Sequence, residues 1–214
     1  MIRTRSVPRP ARTAAGILLA AAVLTACGGS PAHQGAAAVV GDERIPIAAV
    51  QAKVTELRDA AAAASPGGSG TGTEQAGLVR RTVAELVLDR VIARALADRG
   101  LTVSEGEIAQ ARQADAQLLG GDAALQRQLL LRQGVAPADV PGFYRQQIGI
   151  KKIASAAGQD ARTEPGDAVV RKALADAGRE LRVEVNPRYG RWDPQQIALV
   201  DSTTDWLPQR APSA

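Results

Sequence analysis

Few side chains in this chain of 214 residues are suited to nucleophilic or metal chemistry. It contains one cysteine, Cys27, and one histidine, His33, both close to the N-terminus. A Ser-His-Asp or Cys-His arrangement needs a histidine to move the proton, and His33 lies in a polar stretch with no periodicity to hold it. Zinc sites built from histidine and cysteine are excluded for the same reason. The sequence therefore predicts no enzymatic centre, no metal and no cofactor.

Two carboxylate pairs remain as candidates for acid–base chemistry or Ca²⁺ binding. Glu105 and Glu107 directly follow Ser104, and Ser at the N-cap with Glu at N3 forms a capping box that the helix dipole also favours. We expect that structural role for the first pair. Asp193 and Asp201 lie in a C-terminal segment without ligand spacing, where solvated turn residues are an equally good interpretation.

Aromatic side chains are the candidates for binding extended peptides, and all of them lie in the last third of the chain. Phe143 and Tyr144 could line a peptide-binding groove. The interpretation that we favour places Phe143 in the core and leaves Tyr144 half-buried. Tyr189 and Trp192 could also face a ligand, but we expect them to pin the C-terminal segment across the helices.

The N-terminus has the pattern of an export signal. Four arginines precede a short apolar run from Ala14 to Thr25, which is typical of a secretory signal and too short for a permanent membrane span. The run ends in Leu24-Thr25-Ala26-Cys27, which resembles the bacterial lipobox. That resemblance implies cleavage between Ala26 and Cys27 and a diacylglyceryl group on Cys27, which would anchor the protein in the lipid bilayer on the extracytoplasmic face of the cell membrane. The alternative is a chance thiol near an ordinary cleavage site.

Charge gives no reason to expect a nucleic-acid partner. The chain carries 26 Lys and Arg against 22 Asp and Glu, but four of the arginines and none of the acids precede Cys27. Removal of the signal therefore leaves equal numbers of acidic and basic residues. A balanced chain lacks the excess of cations that binds phosphates.

The apolar periodicity predicts a central helix from Leu78 to Gly100. Its apolar arc is so wide that other elements should cover it on more than one side. Charged residues in its middle, among them Asp89, argue against a membrane span. Further helices are predicted over 47–64 and opening at Ser104, Asp122, the 135–139 stretch and Thr163. The third predicted helix has Ile108, Ala111, Leu118 and Leu119 as its apolar residues.

Short strands are predicted at the two ends of this helical series. Ala37–Val40 precedes a Gly41-Asp42 turn, and residues 181–186 alternate in polarity. Because an isolated hairpin is only marginally stable, we expect Arg182–Asn186 to pair with Ala37–Val40. The fold class is therefore mainly α, a multi-helix domain around a long central helix, with a small β element that joins the two ends.

These patterns divide the chain into four parts. Residues 1–26 form the signal peptide and 27–36 a flexible tether. The helical domain covers 37–187 and contains a flexible loop at 65–73. Residues 188–214 have turn residues and too little periodicity for a helix, and we predict an extended C-terminal tail that crosses the surface.

Several stretches, taken in order, resemble the N-terminal chaperone domain of the SurA family, which is shared in outline with PrsA-like foldases. They are AAVVGDERIPIAAV at 37–50, LVLDRVIARALADRGLTVSEGEIAQA at 86–111 and VAPADVPGFYRQQIGIKKI at 135–153. The segment DAVVRKALADAGRELRVEVN at 167–186 is similar to the part that returns to complete that domain. The resemblance covers about residues 37 to 187.

The resemblance implies a holdase-type chaperone for secreted or envelope proteins, whose partners are unfolded or nascent secreted chains. The alternative is an envelope scaffold that kept the fold and binds one specific partner. Family members usually carry parvulin-type prolyl isomerase domains between the helical domain and the returning segment. Here only Gln159–Pro165 occupies that place, and a parvulin site relies on histidines. We therefore do not expect isomerase activity.

Overall fold

The structure is a computed structural model and describes residues 35–64 and 77–202. The predicted signal peptide with Ala26 and Cys27, most of the tether, the predicted loop 65–73 and the last residues of the tail lie outside these ranges. Within them, no helix is long and apolar enough to span a bilayer.

The described residues form six α-helices and five short strands, which confirms the predicted mainly α fold with a small β element. In chain order they are β1 (Ala36–Val40), β2 (Glu43–Pro46), α1 (Ile47–Ala64), α2 (Leu78–Ala97), α3 (Glu105–Leu119), α4 (Asp122–Gln133), α5 (Val140–Ala156), α6 (Glu164–Glu180), β3 (Glu184–Val185), β4 (Arg191–Asp193) and β5 (Ala198–Val200).

A three-stranded antiparallel sheet joins the two ends of the domain, with strand order β2-β1-β3. Ala38 pairs with Val185, and the Asn186 N–H donates to the Ala37 carbonyl at 2.9 Å. The predicted pairing of the terminal strands is therefore confirmed, although β3 is shorter than the predicted strand. Gly41 makes the turn between β1 and β2 with φ +60°, a conformation that glycine adopts without strain.

Helix α2 is the core element, as predicted. Eight of its residues are buried, and it packs against α1, α5, α6 and β1. The regular helix ends at Ala97, and Gly100 acts as the predicted stop with φ +62°. There the Gly100 N–H donates to the Ala97 carbonyl at 3.0 Å and the Leu101 N–H to the Leu96 carbonyl at 2.9 Å, which closes the last turn. On the facing helix, a Cβ at Gly149 would lie 3.1 Å from Leu96 Cδ1 and 3.2 Å from Ile92 Cγ2. The missing side chain lets α5 approach α2 closely.

A second, smaller core lies between α3, α4 and the first half of α5. Its buried members include Leu125, Leu129 and Tyr144, while Phe143 is only partly buried against them. The favoured burial of the two aromatics is therefore wrong: Tyr144 is the core residue and Phe143 is the half-buried one. Tyr144 follows buried Val140 by four positions, and residues four apart share one face of a helix.

The apolar side of α3 also differs from the prediction at one position. Leu118 is 84% exposed, whereas Ala116 is buried at 7%. On an α-helix, side chains two residues apart point in directions that differ by about 160°. Because α4 and α5 pack on the side that carries Ala116, Leu118 points away from them.

The C-terminal segment forms a hairpin where an extended tail was predicted. Strands β4 and β5 pair with Trp192 opposite Leu199. Trp192 is 5% exposed and packs on α6, where a Cβ at Gly178 would lie 3.1 Å from its Nε1. Tyr189 packs beside the same core. The expectation that these two aromatics pin the C-terminal segment is confirmed, and the missed element is the hairpin that holds Trp192.

Replacement of Trp192 tests how the hairpin stabilises the domain. Trp192→Ala should lower the free energy of unfolding by about 3–5 kcal/mol, because it empties a large buried site. Trp192→Phe should cost less than about 2 kcal/mol, since the indole Nε1 has no acceptor among the described residues and no hydrogen bond is lost. Urea denaturation followed by circular dichroism measures both. Equal losses for the two variants would contradict this assignment.

Candidate functional site

A cleft of about 640 Å³ lies between α2 and α5. It follows the C-terminal half of α2, the link that leads to α3 and the first half of α5. Most of its wall is apolar, and four polar side chains interrupt it. The lining residues are Asp89, Ile92, Ala93, Leu96, Ala97, Gly100, Leu101, Thr102, Val103, Gly142, Arg145 and Gln146.

The cleft exists because α5 packs on two different partners along its length. Its second half lies close to α2 at Gly149, while its first half inserts Tyr144 into the core with α3 and α4. The two helices therefore part towards Gly142, and α2 stays uncovered at Ala93 and Ala97, which are both exposed.

Ion pairs hold one wall of the cleft in place. The Lys152 ammonium donates to the Thr102 carbonyl at 2.6 Å and pairs with the Glu107 carboxylate at 2.6 Å, so α5 is tied to the link before α3. This ammonium and the hydrogen bonds from Ser104 lower the pKa of Glu107 to about 2. At the rim, Arg145 pairs with Glu105 at 2.6 Å.

One carboxylate, that of Asp89, lines the cleft at the N-terminal end of its α2 wall. It accepts a hydrogen bond from the Gln146 side-chain amide, which reaches across from α5. Burial raises the pKa of Asp89 above its ordinary value, and this hydrogen bond opposes the shift only in part. The site thus combines an apolar wall with one desolvated acidic group.

The predicted capping role of the first carboxylate pair is confirmed. The Ser104 N–H donates to Glu107 Oε2 at 2.9 Å, and the Glu107 N–H donates to Ser104 Oγ at 3.3 Å. Glu105 is bound to Arg145 instead of sharing a site with Glu107. The two glutamates are therefore parts of the frame.

The second carboxylate pair is separated along the C-terminal hairpin. Asp193 accepts hydrogen bonds from the Gln195 and Gln196 N–H groups at 2.8 and 3.2 Å, which lower its pKa. Asp201 pairs with Arg80 of α2. Within residues 35–64 and 77–202, no group of three or more acidic, histidine or cysteine side chains is arranged to hold a metal ion.

The two predicted peptide-binding aromatics lie beside the cleft and not among its lining residues. Their rings meet edge to face with centroids 5.4 Å apart, and the Tyr144 hydroxyl donates to Asp115 at 2.7 Å. Burial, and then this hydrogen bond, raise the Tyr144 pKa. A role of Phe143 and Tyr144 in peptide binding stays a prediction.

Sequence reasoning missed Asp89 and Gln146 as members of a site. The sequence did mark Asp89, because this charged residue interrupts an apolar stretch of α2. We used that observation only as an argument against a membrane span. What was missing is the partner: Gln146 lies 57 positions along the chain, and no local pattern relates the two residues.

Comparison with known proteins gives one finding. The family described as the SurA-like N-terminal domain matches residues 2–154, a range that extends from the N-terminus into the last turn of α5. Searches of the curated proteins and of the solved structures return no match.

Proposed function

This chain belongs to the SurA-like N-terminal domain family, and from this premise we propose that it is a membrane-anchored extracytoplasmic lipoprotein that acts as a holdase-type chaperone for secreted or envelope proteins. Membership of this chaperone-type family is the observation that carries the proposal. The α2/α5 cleft is the surface to which we assign client binding.

The dimensions of the cleft support this assignment. From Asp89 to its end at Ala97, α2 rises about 12 Å at 1.5 Å per residue, and the link from Gly100 to Val103 continues the wall beyond the helix. An extended chain advances about 3.3 Å per residue, so the cleft accommodates about five residues of a client. Its apolar wall would remove client side chains from water without demanding a particular sequence.

Binding of this kind is weak and broad. A five-residue contact buries little area, and the ordering of a flexible client opposes it. Weak, reversible contact is what a holdase needs, because the client must leave again to fold. We therefore expect protection of aggregating proteins at near-stoichiometric ratios.

A charge placed in the cleft tests the assignment. Ala97→Lys should weaken protection of an aggregating client, because an ammonium group within the apolar wall must be desolvated when a client binds. A tenfold loss of affinity, about 1.4 kcal/mol, would move the protective concentration by the same factor. Light scattering of several unrelated clients during heating or dilution from denaturant measures it.

The matched control is Ala156→Lys. Ala156 and Ala97 are each the last residue of a helix, and both are exposed, but only Ala97 lines the cleft. The control should protect clients as well as the wild type does. Equal loss in both variants would contradict the cleft assignment, and failure of the wild type to protect any client would contradict the holdase proposal.

We also propose that the protein has no prolyl isomerase activity. The connection between α5 and α6 consists only of residues 157–163, at the place where family members usually carry the parvulin domain. A coupled assay with a prolyl model peptide should stay at the uncatalysed rate over a wide range of protein concentration. Turnover that rises in proportion to the protein would contradict the proposal.

The lipid anchor has its own test. Cys27→Ala removes the thiol that would take the diacylglyceryl group, so the protein should move from the membrane fraction to the soluble extracytoplasmic fraction. Immunoblotting of fractionated cells measures the distribution. Ser30→Ala is the control, since it alters a small side chain near the anchor and leaves Cys27 in place. Unchanged membrane association of the Cys27→Ala variant would contradict the anchor.

A further inference from the structure

We infer that the α2/α5 cleft selects apolar client segments that carry a Lys or Arg, whose cation binds the Asp89 carboxylate. This inference rests on the proposed function, because it assumes that the cleft is the client-binding surface. It goes further by naming the chemistry of the preferred client.

Asp89 is half-buried, and its hydrogen-bond donor is a neutral group where such a carboxylate would ordinarily have a cation. Its partner is the Gln146 amide of α5. The two cations that act on its charge are bound to other carboxylates: Arg90 holds Glu43 at 2.7 Å, and Lys53 holds Asp139. Among residues 35–64 and 77–202, the negative charge of Asp89 therefore has no ion-pair partner of its own.

The remaining charge at the cleft is already neutralised. Arg145 is the one cation among the lining residues, and it is paired with Glu105 at 2.6 Å. The lining itself carries one anion, Asp89, and one cation, Arg145; because Arg145 already holds Glu105, Asp89 is the lining charge that is left for a client to pair with. A client cation complements this charge, whereas a client carboxylate would be repelled.

The position of Asp89 within the cleft defines where the cation must lie in the client. Asp89 is at the N-terminal end of the α2 wall, and the apolar surface of Ala93, Ala97 and Leu101 extends away from it. A Lys or Arg side chain places its aliphatic stem on an apolar wall and its charge beyond the stem. The preferred client segment therefore has its basic residue at one end and apolar residues over the next four or so positions.

Charge attraction should be effective here because the carboxylate is partly removed from water. A pair in a low-dielectric site attracts more strongly than the same pair at an open surface. The groups that act on Asp89 are Gln146 from α5, Arg90 from its own helix, Lys53 from α1 and Asp139 from the turn before α5. Burial is the largest influence, and it disfavours the charged form until a cation arrives.

Fluorescence anisotropy with labelled decapeptides tests the inference. The peptides share a Leu-Val-Leu core and differ in one flanking residue, which is Lys, Gln or Glu. Each is made in two versions, with that residue on the N-terminal or on the C-terminal side of the core. The full processed chain with Cys27→Ala should bind the Lys peptide about tenfold more tightly than the Glu peptide at low salt. The preference should shrink at high salt, as a charge contact does.

Asp89→Asn is the decisive variant. It keeps the shape of the side chain and an oxygen that accepts from Gln146, and it removes the charge that burial disfavours, so the domain should stay folded by circular dichroism. The Lys-to-Glu affinity ratio should fall from about ten to about one. Asp167→Asn makes the same change in net charge at an exposed position of α6 that does not line the cleft, and should leave the ratio at its wild-type value.

The outcomes separate this inference from the proposed function. Equal affinity of the wild type for the Lys and Glu peptides, or a preference that persists in Asp89→Asn, would overturn the cation inference while client protection by the wild type still upheld the holdase. If none of the peptides binds and no client is protected, both the inference and the proposed function are overturned.

Discussion

Burial of α2 on several sides is the constraint on which the rest of the structure depends. Val83, Val87 and Val91 are fully buried, and no single neighbouring element could cover them together with Leu86 and Ile92 on an adjoining face. Helices α1, α5 and α6 and strand β1 share this task. The free energy gained from removing so much apolar surface from water favours closure of the chain around one helix.

Packing of the chain around α2 brings the two ends of the domain together, where they form the three-stranded sheet. Strand β1 is central, with β2 on one side and β3 on the other, so its backbone groups find partners both nearby and about 150 residues away in sequence. The hairpin of β4 and β5 then adds Trp192 on α6. A segment outside the helical series thereby contributes a large buried side chain to the same core.

The cleft is a consequence of how α5 divides its contacts between two cores. Helix α5 approaches α2 closely at Gly149 and inserts Tyr144 into the core with α3 and α4. It cannot make both contacts and also pack on α2 along its whole length. In the gap that remains between the two helices, Ala93 and Ala97 are exposed and Asp89 is half-buried. The proposed function therefore uses the surface that packing leaves uncovered. The Asp89 carboxylate contributes a charge there that has no salt bridge within the part of the chain that the structure describes.

Local pattern identified all six helices of the described residues and the capping box at Ser104, because helix periodicity and caps are properties of neighbouring residues. The pairing of the terminal strands followed from the marginal stability of an isolated hairpin. The burial of Phe143, Tyr144 and Leu118 was predicted wrongly. An apolar residue at the edge of a helix face is buried only if another element packs on that side, and which element does so depends on contacts between residues far apart in sequence. The hairpin of residues 191–200 was missed because its strands are three residues each and too short to show a period. The cleft could be decided only by the tertiary structure. Asp89 and Gln146 are unrelated in sequence, and they meet because Gly149 lets α5 approach α2 while Tyr144 packs the same helix against α3 and α4.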